Sequence, residues 1–139
     1  DAQLTLSQRA KLAGAVIVST PQDLALIDAR KGLNMFRKVN VPLLGIIENM
    51  SHFLCTECGA RHEIFGNGGA RAEAAKLGVP FLGEVPLEIV IRTTSDEGTP
   101  IVASQPDSPH AAHYGAIAEA VLQTLERNTP KASPKIIVE

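Results

Sequence analysis

The sequence predicts an α/β protein, part of a doubly wound parallel sheet, on three observations: two unbroken apolar runs, an amphipathic helical stretch between them, and a third short apolar run farther on. The first run, Leu12-Ala13-Gly14-Ala15-Val16-Ile17-Val18, lacks the alternation of a half-exposed strand and reads as a strand buried on both faces. Thr20-Pro21-Gln22-Asp23 follows as a capping-box-like helix start, with a hydroxyl for the early amides, a proline suited to the first helical position and an acid for the positive helix end. Leu26, Ala29, Leu33 and Phe36 then recur at helical spacing, with Arg30, Lys31, Arg37 and Lys38 on other faces. This helix turns one stripe inward and closes near Asn40 and Pro42. Leu43-Leu44-Gly45-Ile46-Ile47 is the second run, so residues 14–47 form a strand, crossover helix, strand unit with parallel strands and a right-handed connection.

Beyond Glu48-Asn49-Met50 lies a loop bearing glycine, cysteine and histidine, after which Gly68 to Leu77 reads as an alanine-rich helix closed by Gly78. Phe81-Leu82-Gly83-Glu84-Val85 is the third strand, and Pro86 to Pro100 combines a helical turn with a loop. Ser108-Pro109 opens a long helix with Tyr114, Ile117, Val121 and Leu125 as its buried stripe. One domain is expected over residues 1–127, followed by a loose tail over 128–139. Doubly wound sheets usually hold five or more strands, so three strands with an open edge are expected either to be sticky alone or to need an N-terminal piece.

Composition narrows the function classes. Apolar residues make up 45% and charged residues 20%, the proportions of a folded globular chain. Thirteen basic against fifteen acidic residues leave a net charge of -2, which disfavours nucleic acid as a partner. No apolar stretch approaches the roughly 20 residues of a membrane helix, so no membrane partner is expected. Asp1-Ala2-Gln3-Leu4-Thr5 has neither a basic nor an apolar leader segment, and the expected location is cytoplasmic.

The two cysteines, Cys55 and Cys58, carry the strongest chemical signal. Cys55-Thr56-Glu57-Cys58-Gly59 sets two thiolates on one tight turn, where backbone amides can donate to sulfur and Gly59 can take a positive φ. A thioredoxin-type pair would instead open a helix, which lowers the thiol pKa, whereas no helix signal follows Gly59 for about ten residues. Metal binding is therefore favoured over redox catalysis and over a pair of idle surface thiols. Zinc and iron–sulfur clusters ordinarily take four protein ligands, and two thiolates supply half of them. Either His52, Cys55, Cys58 and His62 close a zinc site within one loop, or the same loop from two chains meets on a two-fold axis and four cysteines share one cluster. In the second case His52 and His62 are solvated loop residues.

Nucleotide machinery is sparse. There is no G-x-x-x-x-G-K-[ST] and no Gly-Lys pair. Gly66-Asn67-Gly68-Gly69-Ala70-Arg71 places Arg71 where a dinucleotide fingerprint wants glycine, and reads as a flexible helix start. Asn49 lies just past the second strand, where open α/β sheets place ligands, although from position alone a turn-forming asparagine is the favoured reading.

Taken together, Ser19-Thr20-Pro21-Gln22-Asp23, Gly45-Ile46-Ile47-Glu48-Asn49-Met50-Ser51, Cys55-Thr56-Glu57-Cys58-Gly59, Ile64-Phe65-Gly66-Asn67-Gly68-Gly69, Gly78-Val79-Pro80-Phe81-Leu82-Gly83 and Ile91-Arg92 resemble the Mrp (ApbC-like) family of P-loop ATPases. These are iron–sulfur cluster carriers related to the nitrogenase iron protein, MinD and ParA. The resemblance covers about residues 1–127, and its most specific piece is the E-N-M-S run followed by C-x-x-C-G. It implies a MinD-like fold and a [4Fe-4S] cluster bridging two subunits through Cys55 and Cys58. It further implies a homodimer, delivery to apo iron–sulfur proteins, and a base pocket in which Asn49 touches the adenine of ATP with Pro86, Leu87 and Glu88 on the other side. Arg92 and Asp96 look like parts of the same loop and receive no contact. The family's phosphate-gripping loop, its lysine and its magnesium ligands precede the part that resembles residues 1–6, so this chain by itself is expected not to hydrolyse ATP. A zinc-knuckle module that binds a protein partner is the alternative.

Overall fold

The computed structural model describes residues 2–128. Helix α1 (Ala2–Arg9) precedes strand β1 (Ala15–Ser19), helix α2 (Asp23–Lys38) and strand β2 (Leu43–Asn49). A small hairpin of β3 (Phe53–Leu54) and β4 (Arg61–His62) leads to helix α3 (Gly69–Leu77) and strand β5 (Phe81–Val85). Helices α4 (Ile89–Asp96), α5 (Ile101–Ser104) and α6 (Pro109–Asn128) complete the described chain. The tail expected over 128–139 lies, apart from Asn128, outside the described residues.

The three long strands form a parallel sheet in the order β1-β2-β5, with Val16 opposite Gly45, Ile17 opposite Ile46 and Asn49 opposite Val85. Parallel strands require crossovers that lie on the sheet, and α2 and α3 supply them on one face. There Ile17 and Ile46 meet Leu26, Ala29, Leu33, Ala70 and Ala74 in a buried core. The apolar stripe read from the sequence thus falls on the sheet, apart from Phe36, which is half-buried at its margin. Helix α6 covers the opposite face over β5 and β2. Gly83 permits this approach, since a Cβ there would stand 2.7 Å from Ile117 Cγ1.

Three expectations are corrected. Strand β1 is not buried on both faces: α6 stops short of it, and Val18 is 59% exposed on that side. Helix α2 begins at Asp23 with Gln22 as its cap residue and no side-chain cap bond; the Thr20 hydroxyl donates to Gln22 Oε1 instead. In α6 the fully buried positions are Ala111, Ile117 and Thr124, while Tyr114, Val121 and Leu125 are half-buried, because the helix covers only part of a narrow sheet. Its start is as expected, with the Ser108 hydroxyl accepting from the Ala111 amide at 3.1 Å.

Two buried carboxylates stitch the layers. Glu48, 1% exposed on β2, accepts the Ala70 amide at 2.8 Å at the amino end of α3, where backbone donors and the helix dipole favour an anion. Glu73 on α3 forms a two-pronged ion pair with Arg30 of α2, one contact at 2.8 Å, and the guanidinium holds its carboxyl below the usual carboxylate range.

Candidate functional site

The chain leaves β2 through Asn49 and Met50, and Met50 takes a left-handed φ of 54°, rare for a side-chain-bearing residue. Asn49 Oδ1 accepts the Met50 amide at 3.0 Å and so stabilises this turn. Two backbone bonds then pin the incoming loop to the end of β5: Ser51 N to Val85 O at 3.1 Å and Leu87 N to His52 O at 2.7 Å. The β3–β4 hairpin therefore projects from a fixed base.

Its tip is the cysteine turn. Gly59 N donates to Cys55 O at 2.8 Å, Cys55 N to Ala60 O at 2.9 Å, and Gly59 adopts the expected left-handed φ of 71°. Cys58 is exposed and Cys55 half-exposed. The Cys55 sulfur accepts from the amides of Cys58 and Glu57 and pairs with the Cys58 thiol, and these contacts hold its pKa below the ordinary thiol value. Two sulfurs converge in an accessible, amide-lined turn, an arrangement suited to thiolate ligation of a soft metal centre. Thioredoxin geometry is absent, as the next helix begins at Gly69.

The histidines do not close this site. His62, exposed on β4, stands across from Phe53 with ring centroids 6.5 Å apart. His52 is not the solvated loop residue expected from the sequence: it is 7% exposed, its Nδ1 lies 2.9 Å from the Ser51 hydroxyl and 3.9 Å from Glu84, and burial lowers its pKa. Its role is to anchor the hairpin. Among the described residues no group of three or more His, Cys, Asp or Glu side chains is gathered as a metal would require, so an internal four-ligand zinc site is not formed.

The residues expected around a nucleotide base sit at the carboxyl ends of neighbouring strands. Asn49 lines a cavity of about 170 Å³ with Val18, Ile47, Val85, Tyr114 and Ile117. Burial raises the pKa of Tyr114, a residue the sequence singled out only for packing. Pro86 is buried, and Leu87 and Glu88 line a separate, largely apolar cavity of about 300 Å³ with Phe53, Ile64, Ile89 and Arg92. Asn49 shares neither wall with them. Arg92 pairs with Asp96 at 2.8 Å along α4. No periodicity could flag Phe53, which lies in a two-residue strand, or Ile64, which lies in the turn after β4.

The family model of the ParA-type NUBPL iron-transfer P-loop NTPases matches residues 1–122. The chain belongs to that family. It is 51% identical over 143 residues to the iron-sulfur cluster transfer protein NUBPL of Dictyostelium discoideum, covering 99% of this chain and 44% of the relative. It is 51% identical over 125 residues to the iron-sulfur cluster carrier protein of Salmonella typhimurium, covering 90% of this chain and 34% of that one. The chain thus spans less than half the length of these relatives. Among solved structures, the nucleotide-binding protein of Archaeoglobus fulgidus in complex with ADP superimposes with a TM-score of 0.63 at 42% identity, over 71% of this chain and 41% of that one. The cell division ATPase MinD of Pyrococcus furiosus, at 23% identity and the same TM-score, supports the fold. The α/β reading and the family resemblance drawn from the sequence both stand. No described helix is long and apolar enough to cross a membrane.

Proposed function

We propose that this chain is the cluster-bearing C-terminal part of a nucleotide-dependent iron–sulfur carrier, in which Cys55 and Cys58 hold half the coordination sphere of a [4Fe-4S] cargo and the same pair from a second copy holds the other half. The observation that carries the reading is the hairpin tip: two converging thiols, open to solvent, with no third donor gathered beside them among the described residues. Four ligands are needed and one chain offers two. The amides that donate to Cys55 favour its thiolate, the form that binds iron. Delivery to an apo iron–sulfur protein is then ligand exchange. Each incoming client thiolate forms an iron–sulfur bond as one carrier bond breaks, and the proton shed by the client thiol ends on the freed carrier thiolate.

In the same proposal Asn49 and the Pro86-Leu87-Glu88 turn flank an ATP base from the ends of neighbouring strands, Asn49 from one cavity and Leu87 and Glu88 from the other. Asn49 Oδ1 is engaged by Met50, while its Nδ2 donates to no described acceptor and is free to meet an acceptor on a base edge. Phosphate and magnesium contacts lie outside residues 1–139, which hold no Gly-Lys pair, and the chain alone does not hydrolyse ATP. The Leu87-to-His52 bond ties the base-side turn to the foot of the cysteine hairpin, giving nucleotide binding a direct mechanical route to the cluster. Free thiols of this kind belong in a reducing compartment, and the cytoplasm is the one we assign.

Anaerobic reconstitution of the complete protein with iron and sulfide tests the reading. One [4Fe-4S] cluster per two chains, in a species of dimer mass, is expected; zinc in a colourless monomer, or no metal, overturns it.

A further inference from the structure

The geometry points to a second metal chemistry at the hairpin tip: Cys55 and Cys58 of a single chain bind one copper(I) ion between their two sulfurs, in a form that keeps the iron–sulfur cluster out. The thiols are those of the proposed cluster half-site and the occupant is different; only the exclusion of the cluster rests on the carrier reading. Coordination number decides the ion. Zinc and iron–sulfur clusters ask for four protein ligands, whereas one chain offers two, with no group of three or more His, Cys, Asp or Glu side chains among the described residues. Copper(I) is a soft, closed-shell ion that thiolate sulfur selects, and two sulfurs on opposite sides of it complete its coordination.

The tip meets that need within one chain. Its two sulfurs face each other, the Cys58 thiol being hydrogen-bonded to the Cys55 sulfur, so an ion entering between them takes the place of that contact. Cys58 is exposed and Cys55 half-exposed, which leaves the way in open. The backbone bonds from Gly59 N to Cys55 O at 2.8 Å and from Cys55 N to Ala60 O at 2.9 Å close the turn, so both side chains are held on it before any metal arrives. The amides of Glu57 and Cys58 point at the Cys55 sulfur, and their dipoles offset the net negative charge of a copper(I) ion held by two thiolates. The histidines take no part: His62 stands exposed opposite Phe53, and His52 is buried against Ser51. On binding, each thiol gives its proton to water and the copper stays copper(I), so no electron moves. Sulfurs held by copper(I) are then closed to iron. Zinc on the same thiols would need both copies, so the ratio of metal to chain separates the two ions.

Copper(I) titration of the complete protein, reduced, metal-free and anaerobic, tests this, with bicinchoninate as the coloured competitor that reports copper lost to the protein. One copper per chain beyond that taken by the Cys55→Ser/Cys58→Ser double variant is expected, with two sulfur neighbours per copper and no nitrogen in X-ray absorption. Either single serine variant should weaken binding by more than about a hundredfold, since loss of a merely supporting partner costs a metal site up to that much. His62→Ala should bind as wild type does. Copper-loaded protein given iron and sulfide should fail to take up cluster, and bathocuproine, by stripping the copper, should restore uptake. Half a copper per chain, no excess over the double variant, a third ligand on copper, or cluster uptake undiminished by bound copper overturns the inference. The carrier reading stands apart from it: cluster that loads at one per two chains in protein that binds no copper keeps that reading and removes this one. Copper at one per chain in protein that never takes up cluster keeps the copper site and removes the carrier reading.

Discussion

Substituting Gly69 with alanine tests how closely the start of α3 packs on the turn before α2, and its sign is opposite to what helix propensity alone dictates. Gly69 is the first residue of α3, and alanine in a helix is worth up to about 1 kcal/mol over glycine. Here, however, a Cβ would stand 2.4 Å from the carbonyl oxygen of Pro21 and 3.1 Å from Leu26 Cδ1, about 1 Å short of ordinary contact with backbone that cannot swing aside. The start of α3 must move, and the next amide, Ala70 N, is the one that satisfies buried Glu48 at 2.8 Å. Overpacking of this kind costs about 1–3 kcal/mol. Stretching a hydrogen bond to a buried carboxylate adds about 1.5–3 kcal/mol. Set against the propensity gain, the expected loss is about 2–5 kcal/mol. Chemical denaturation of the complete protein should show a lower midpoint at unchanged slope. A midpoint equal to or above wild type would refute the close-packing argument.

Three further outcomes are expected. Gly115→Ala is the control: it sits within α6 with nothing within 4 Å of the added Cβ, so it should stabilise by about 0.5–1 kcal/mol in the same denaturation assay. On the proposed reading Cys58→Ser should abolish cluster uptake by iron and sulfide analysis, whereas His62→Ala should leave it intact, because His62 stands exposed on β4 and joins no metal-binding group among the described residues. Glu73 has a carboxyl pKa lowered by Arg30, so the stability it contributes is complete above the unfolded value of about 4.3 and drains away as pH falls through the lower folded value. Glu73→Gln should therefore flatten the acid limb of a stability–pH profile below about pH 5; an unchanged limb would show that the pair contributes no pH-dependent stability.

Much of the chemistry was legible along the chain. Cys55 and Cys58, on which the proposed half-site rests, stand out by number and spacing, and the left-handed turn at the glycine after them was read correctly, because backbone sterics are a local property. The strand Phe81–Val85 was read at its observed boundaries, since a short apolar run between turn residues has one reading in an α/β chain. The hairpin strands β3 and β4 were invisible: two residues each carry no period, and they are held by the Ser51 and Leu87 bonds to the end of β5, more than thirty residues away.

What the sequence determined alone is therefore the parallel α/β order, the family likeness and the tight turn that carries the two cysteines. These rest on periodicity, motif order and residue type. Only the tertiary structure decided that His52 is buried beside Ser51 and Glu84, that Val18 is left uncovered, and that Leu87 and Glu88 share a groove with Phe53 and Ile64 while Asn49 lines another with Tyr114. Each of these depends on which distant segment comes to rest against a side chain, and burial of that kind is a property of packed layers that neighbours along the chain do not encode.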